Sequence, residues 1–202
     1  MRSHTTSGLI VLRDSLGIEY RVCRLDYTMW EDGSYEYVFI PEYDMLELLP
    51  KEFQGVPGID LDLHRERYVR RDMEPVYVTE RSPSGNRQDL WDLLEEAGMD
   101  HLNRLEWMIR TGKGYHGDRF FTVRYSEREG PLVIDGPVTE SARLCGQILS
   151  ALGAGRAVIL DGREVTGPER AVLCSVLRSV LSSDRRYRAG RRSEDGVTLA
   201  SR

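Results

Sequence analysis

Residues 75–110 read PVYVTERSPSGNRQDLWDLLEEAGMDHLNRLEWMIR, and how this stretch folds decides what the rest of the chain packs against. Pro75 to Thr79 is rich in β-branched and aromatic side chains and predicts a strand. Ser82-Pro83-Ser84-Gly85-Asn86 predicts a turn. Leu90, Leu93, Leu94 and Ala97 then fall at i, i+3, i+4 and i+7, the spacing of one helical face. Asn86 is placed to cap this helix and Gly98 to end it. Asp100 would cap a second helix, His101 to Arg110, with Leu102, Leu105 and Ile109 inward. Glu106 and Arg110 form an i,i+4 ion pair in the favoured order. The short link between the helices predicts an αα-hairpin.

On the N-terminal side the pattern is that of antiparallel strands. Gly8–Leu12 is apolar and closes on the turn Asp14-Ser15-Leu16-Gly17. Ile18–Leu25 alternates, and Tyr35–Ile40 follows the hairpin signal Asp32-Gly33. Pro41 ends that strand, Tyr43–Leu49 predicts a short helix, and Lys51–Gly58 is a connector. Ile59–Arg71 fits an exposed strand in its first half and a helical turn in its second.

On the C-terminal side Arg119–Tyr125 predicts a strand. A helix opening at Thr139 carries Cys145, Ile148, Leu149 and Leu152 on one face and ends at Gly153 and Gly155. Ala157–Leu160 and Arg163–Val165 flank Asp161-Gly162 as a hairpin. Thr166 and Pro168 open a last helix to about Ser183, with Val172, Leu173, Val176, Leu177 and Val180 as its apolar face. The expected architecture is α+β: an antiparallel β-sheet packed by an αα-hairpin and two further helices. Residues 1–184 form one domain and 185–202 a basic tail.

Composition sets the class. The chain has 202 residues, 40% of them hydrophobic, with three Trp, ten Tyr and four Phe, enough apolar mass for a real core. No run approaches the ~18 apolar residues of a membrane span, and Gly8–Leu12 is too short for a secretory apolar region. The expectation is a cytoplasmic protein without membrane contact. Cys23, Cys145 and Cys174 include no CxxC pair, so the pattern indicates neither a disulfide framework nor a cysteine zinc site, and no cofactor is expected. Cys145 and Cys174 lie in apolar helices and read as buried thiols. Net charge is −5, unevenly spread: six Arg against Glu194 and Asp195 give the tail a local +4, leaving −9 on the first 184 residues. An acidic body argues against coating of nucleic acid by the whole domain. Arg185, Arg186, Arg188, Arg191 and Arg192 make the tail a candidate for contact with DNA or RNA.

Two constellations could carry chemistry. Asp60, Asp62, His64 and Glu66 alternate; on a strand they would share one face, and carboxylates with His suit Mg²⁺, Mn²⁺ or Zn²⁺, as in a metal-dependent nuclease or hydrolase. The same residues equally suit a solvated edge strand whose acids pair with Arg65, Arg67 and Arg70. Arg81 and Arg87 bracket the turn before the first strong helix, with Ser84 and Asn86 between them. Backbone N–H groups at that helix start and two guanidiniums would hold a phosphate or carboxylate, unless both arginines pair with Glu80, Asp89 and Asp92. HExxH, GxSxG and P-loop patterns are all missing.

Val78–Glu96, VTERSPSGNRQDLWDLLEE, resembles the segment of serine recombinases (resolvase/invertase) in which a strand leads into an Asp-Arg-Leu-x-Arg turn and a Leu-rich helix. Glu80-Arg81 stands where that family has Asp-Arg, and Val176–Ala200 is similar to its long helix running into an Arg-rich segment. The family's opening Tyr-x-Arg-x-Ser is approached only by Tyr20-Arg21-Val22-Cys23. This resemblance implies a degenerate recombinase-like DNA-binding protein. FIPEYDMLELLP (39–50), FQGVPGIDLDLHRERYVR (53–70) and LEWMIRTGKGYHGDRFF (105–121) resemble small proteins carried by integrative and conjugative elements of bacteria. That second resemblance implies a defence inhibitor such as an anti-CRISPR protein, or a recombination or transfer accessory factor. With the acidic body, it leads to the expectation of a non-enzymatic interaction protein whose partner is a protein or protein–nucleic-acid complex of the host.

Overall fold

The computed structural model describes residues 3–51, 53–135 and 142–184. Two compact units emerge: Met1–Leu12, Arg21–Leu46 and Pro50–Glu127 make the first, and Arg13–Tyr20, Glu47–Leu49 and Arg128–Arg202 the second. The α+β class expected from the pattern is the one observed.

The first unit is built on an antiparallel five-stranded sheet of order β4-β3-β2-β1-β5, comprising β1 (Ser3–Arg13), β2 (Glu19–Trp30), β3 (Tyr35–Pro41), β4 (Tyr68–Arg71) and β5 (Phe120–Arg124). The Asp32-Gly33 hairpin forms as its residues predict: Gly33 has φ +83° and the Asp32 carboxylate accepts from the Ser34 N–H and hydroxyl. It sets the register Tyr27↔Tyr37 and Met29↔Tyr35. The β1–β5 register runs from Gly8↔Arg124 to Leu12↔Phe120. Every β1 residue from Gly8 to Leu12 is buried, so this strand is covered on both faces, which is why its sequence reads as a continuous apolar run rather than an alternation.

Four short helices complete the unit: α1 (Tyr43–Leu46), α2 (Val76–Thr79), α3 (Leu90–Glu96) and α4 (Arg104–Thr111). The strand expected at Pro75–Thr79 is instead the helical turn α2. Pro75 sits at its N-cap with φ −68°, and the consecutive residues Tyr77 and Val78 are both buried, which a one-faced strand would not allow. Tertiary packing overrides the β-propensity of the two valines here. The Tyr77 hydroxyl pairs with the Thr122 hydroxyl at 3.0 Å, and burial pushes its phenol well above the ordinary range.

Arg81 follows directly, and its side chain is fully buried. Its guanidinium lies 4.1 Å from the Tyr77 ring centroid and 5.6 Å from that of Tyr115. It donates to the Tyr77 carbonyl at 3.0 Å and pairs with Asp118 in the loop before β5. A charge taken out of water must be matched within the fold, and Asp118 is the partner that does this.

The second unit holds a three-stranded sheet, β6 (Leu132–Ile134), β7 (Val158–Leu160) and β8 (Arg163–Glu164), with α5 (Ala142–Gly153) and α6 (Pro168–Ser183) packed on each other. β6 and β7 are parallel, a pairing the sequence reading did not include. The hairpin at Asp161-Gly162 forms as expected. On α5 the residues Cys145, Ile148, Leu149 and Leu152 are buried, as their spacing requires. On α6 the buried residues are Cys174, Leu177 and Leu181, so the helix is rotated from the face expected of it. Arg178 fixes that rotation: its Nε donates to the Tyr20 hydroxyl at 3.1 Å, and it also donates to the Leu48 carbonyl. Cys23, Cys145 and Cys174 are buried thiols that form no disulfide. Burial pushes the Cys174 thiol up to about 11, against the opposing charges of Arg178 and Arg170. No helix among the described residues is long and apolar enough to cross a membrane.

Removal of the Arg81 partner tests the account of the first unit. Asp118→Ala leaves a buried guanidinium facing only Glu80, and a loss of about 3 kcal/mol of stability is expected by denaturant titration. A loss below about 1 kcal/mol would show that Arg81 is not held by this pair.

Candidate functional site

The site begins at the start of α4. Asn103 has an extended backbone, φ −103°, and its side-chain oxygen accepts from the Glu106 N–H at 3.0 Å, capping the helix. Its amide donates to the Thr6 hydroxyl at 2.9 Å, a buried bond that ties α4 to β1. The cap was expected at Asp100. Asn103 was the better choice on local grounds, because Asn103-x-x-Glu106 has the capping-box spacing and Asp100 has no Glu or Gln three residues on.

Glu106 is the polar node. It accepts from Arg110 Nε at 2.7 Å, one turn on, and from Arg124 of β5 at 2.6 and 2.8 Å. The expected Glu106–Arg110 pair therefore forms, with a second arginine added. Burial works to raise the Glu106 carboxyl, but the hydrogen bonds and charges of Arg124 and Arg110 outweigh it and hold the group below the usual carboxylate range. Arg110 also donates to the Ala97 and Gly98 carbonyls, closing the C-terminal end of α3. Gly98 makes that turn with φ +65°.

Between these parts lies an open groove of about 950 Å³, bordered by the first residues of β1, by α3, by the α3–α4 turn and by Arg124. Trp91 stands on its rim and is 69% exposed. Around it on α3 and the following turn, Asp92, Glu95, Glu96 and Asp100 are all exposed. His101 hydrogen-bonds Asp100, and this contact holds the Asp100 carboxyl below its ordinary range. The groove lining is of mixed charge: Glu95, Asp100 and Glu106 share it with Arg110, Arg124, His4 and His101, and Trp91 stands beside the acids of α3.

The residues singled out from sequence fall elsewhere. Arg81 is buried and committed to Asp118, so it faces no anion. Arg87 is exposed and paired with Asp89 through Nε at 2.5 Å, which lowers the Asp89 carboxyl. Ser84 and Asn86 are exposed and engaged with each other, the Asn86 N–H lying 3.4 Å from the Ser84 hydroxyl. The helix starts at Leu90 with Asp89 at the N-cap, so Asn86 does not cap it. The two guanidiniums do not converge, because nearby acids satisfy each one separately.

Asp60, Asp62, His64 and Glu66 do not lie on a strand. Leu61–Leu63 is a 3-10 turn: the Asp60 carboxylate accepts from the Asp62 N–H at 3.1 Å, and His64 takes φ +47° with its ring stacked on Tyr43 at 5.1 Å. Period-two alternation therefore no longer brings the four side chains to one face. Among the described residues, no group of three or more His, Cys, Asp or Glu is placed to hold a metal ion. Arg185, Arg186, Arg188, Arg191 and Arg192, and the helix opening expected at Thr139, lie outside the described residues. Sequence reading missed Trp91, although an aromatic one residue off an apolar helix stripe and flanked by acids is the signal that marks it.

Two substitutions test the scaffold of the groove. Asn103→Ala removes the cap and leaves the buried Thr6 hydroxyl without its donor, so about 2 kcal/mol of stability is expected to be lost in chemical denaturation. Glu106→Gln is expected to cost about 1 kcal/mol at neutral pH, since both arginines are partly exposed. Because the folded-state group is depressed, its contribution is present above the unfolded carboxylate range and lost as pH falls through the folded value. Thermal melts of Glu106→Gln and the parent chain should therefore converge in acid; a constant gap would contradict the assignment.

Comparison of the chain with protein-family models, with curated proteins and with solved structures yields no match.

Proposed function

We propose that this chain is a non-enzymatic interaction protein that captures a basic protein surface, alone or carrying nucleic acid, in the groove beside α3. The observation that carries this reading is Trp91, 69% exposed on the groove rim of a capped and ion-paired scaffold, with Asp92, Glu95 and Glu96 exposed on the same short helix. An exposed tryptophan forfeits the burial that would otherwise stabilise the fold, and such aromatics act as anchors at interfaces. The surrounding acids supply the complementary charge: they speed encounter with a Lys/Arg-rich surface and disfavour acidic ones. In contrast to Asp89, Asp100 and Glu106, which pair with Arg87, His101 and two arginines, Asp92, Glu95 and Glu96 form no salt bridge among the described residues. A lysine or arginine arriving from a partner can lie on the Trp91 ring and reach those carboxylates together.

The biological setting belongs to the same proposal. The resemblance of residues 39–50, 53–70 and 105–121 to proteins of conjugative elements supports a role as a defence inhibitor or a recombination or transfer accessory factor, and a basic nucleic-acid-handling protein is the kind of target such a factor meets. Arg185–Arg192 would add nucleic-acid contact to a body that is otherwise acidic.

The test is a nuclease-treated capture from a bacterial lysate with the full chain and with Trp91→Ala, followed by affinity measurement on the identified partner. Trp91→Ala should weaken binding by at least about 30-fold, the ~2 kcal/mol of a hot-spot aromatic. Glu95→Gln with Asp92→Asn should lower the association rate and flatten its salt dependence. A partner held equally well by Trp91→Ala would defeat the assignment of the groove.

A further inference from the structure

We propose that the partner segment captured beside α3 carries an acidic side chain among its basic ones, and that Arg124 receives that carboxylate. The inference rests on the capture reading above and names what the other wall of the same groove takes. A series of contacts orders the charged groups across it. Arg124 stands on β5, and Glu106 accepts from its Nη2 at 2.6 and 2.8 Å. Glu106 also accepts from Arg110 Nε at 2.7 Å, and Arg110 Nη1 donates to the Ala97 and Gly98 carbonyls at the end of α3. Trp91 and Glu95 lie on that helix and line the same groove. The groove therefore runs from a guanidinium on β5 to an aromatic ring and a carboxylate on α3. A segment with basic residues alone suits the α3 wall and meets like charge at Arg124.

Arg124 is the group on that wall with donors to spare. Glu106 takes those of Nη2, while Nε and Nη1 have no hydrogen-bond partner among the described residues. The Arg124 side chain is 59% exposed and the Glu106 side chain only 16%, so the guanidinium is anchored at one nitrogen and open to solvent at the others. Two bonds to one carboxylate already hold it in one orientation, and binding does not have to order it again. The charge of the ligand group follows from the direct contacts: Arg110 and Arg124 share a single carboxylate, which leaves one positive charge unmatched. Asp100, in the same lining, is engaged by His101. An Asp or Glu side chain supplies one negative charge and planar oxygens suited to a guanidinium. A phosphate group, at about −1.5 to −2, would overmatch that charge and meet Glu95, Asp100 and Glu106 in the same lining.

A random peptide library displayed on phage and selected on the full chain supplies the probe. Selected sequences are expected to combine Lys or Arg with Asp or Glu, and Trp91→Ala is expected to abolish their capture. For one such peptide, replacing its acid by the amide should weaken binding about fivefold to the parent chain and less than about twofold to Arg124→Gln, the coupling that a double-mutant cycle isolates. Arg124→Lys, which keeps the charge, should retain part of that coupling. Should Arg124→Gln fail to fold in a thermal melt, the double variant Arg124→Gln/Glu106→Gln repeats the measurement without leaving Glu106 short of a partner. Peptides that carry basic residues alone and still depend on Trp91 would overturn this inference and leave the capture reading standing. Peptides indifferent to Trp91→Ala, or a library that yields no enriched sequence, would overturn both. A phosphoserine bound more tightly than the carboxylate at the acid position would overturn the one-charge match.

Discussion

α4 can lie against the β1–β5 pair only because residue 8 has no side chain. A Cβ at Gly8 would stand 2.9 Å from the Thr122 methyl and 3.0 Å from a Leu105 methyl. Leu105 could rotate, but Thr122 is held by its hydrogen bond to Tyr77 and cannot withdraw cheaply. Once α4 is seated at this distance, Asn103 reaches Thr6 and Glu106 reaches Arg124. Those two contacts in turn fix Arg110, and Arg110 fixes the end of α3. Through this chain of contacts α3, which carries Trp91, is held at its C-terminal end.

Buried or half-buried arginines perform a second task that an acidic chain makes available. Arg81 joins α2 to the loop before β5, and Arg21 pairs bidentately with Glu42 while donating to the Ser126 carbonyl. In the second unit Arg178 joins α6 to Tyr20 and Leu48. A guanidinium presents five donors in a rigid fork, so one side chain can satisfy a carboxylate and a carbonyl on two different elements. A lysine would present its three donors from a single nitrogen, without the spread of the fork that reaches two elements. Of the two arginines beside the turn that looked from sequence like anion ligands, Arg81 is consumed in holding elements together and Arg87 pairs with Asp89 on the surface.

What could be read from the sequence followed from local rules. The Asp32-Gly33 hairpin, the strands on either side of it, the stripe on α5 and the Glu106–Arg110 pair each depend on residues a few positions apart, and each forms. The failures arose where distant packing decided the outcome. VYVT at 76–79 has the composition of a strand, yet it is a helical turn because Tyr77 must reach Thr122 and Arg81 must reach Asp118. On α6 two apolar stripes compete, one through Cys174, Leu177 and Leu181 and the other through Val172, Val176 and Val180. The sequence reading took the face through Val172, Leu173, Val176, Leu177 and Val180; the packing of α5 and the inward turn of Arg178 choose the one through Cys174, Leu177 and Leu181. At 60–66 alternation mimicked a strand, but Asp60 as a cap and His64 at positive φ bend the backbone before a ladder can form.

The same reasoning separates scaffold from site. Residues whose polar atoms are satisfied inside the fold, such as Arg81, Asn103 and Glu106, act through stability. Trp91 and the exposed acids of α3 differ: the ring is mostly in water, and Asp92, Glu95 and Glu96 form no salt bridge among the described residues. A large aromatic left on the surface forfeits burial energy, and under the proposed function a basic surface covering it would recover that energy.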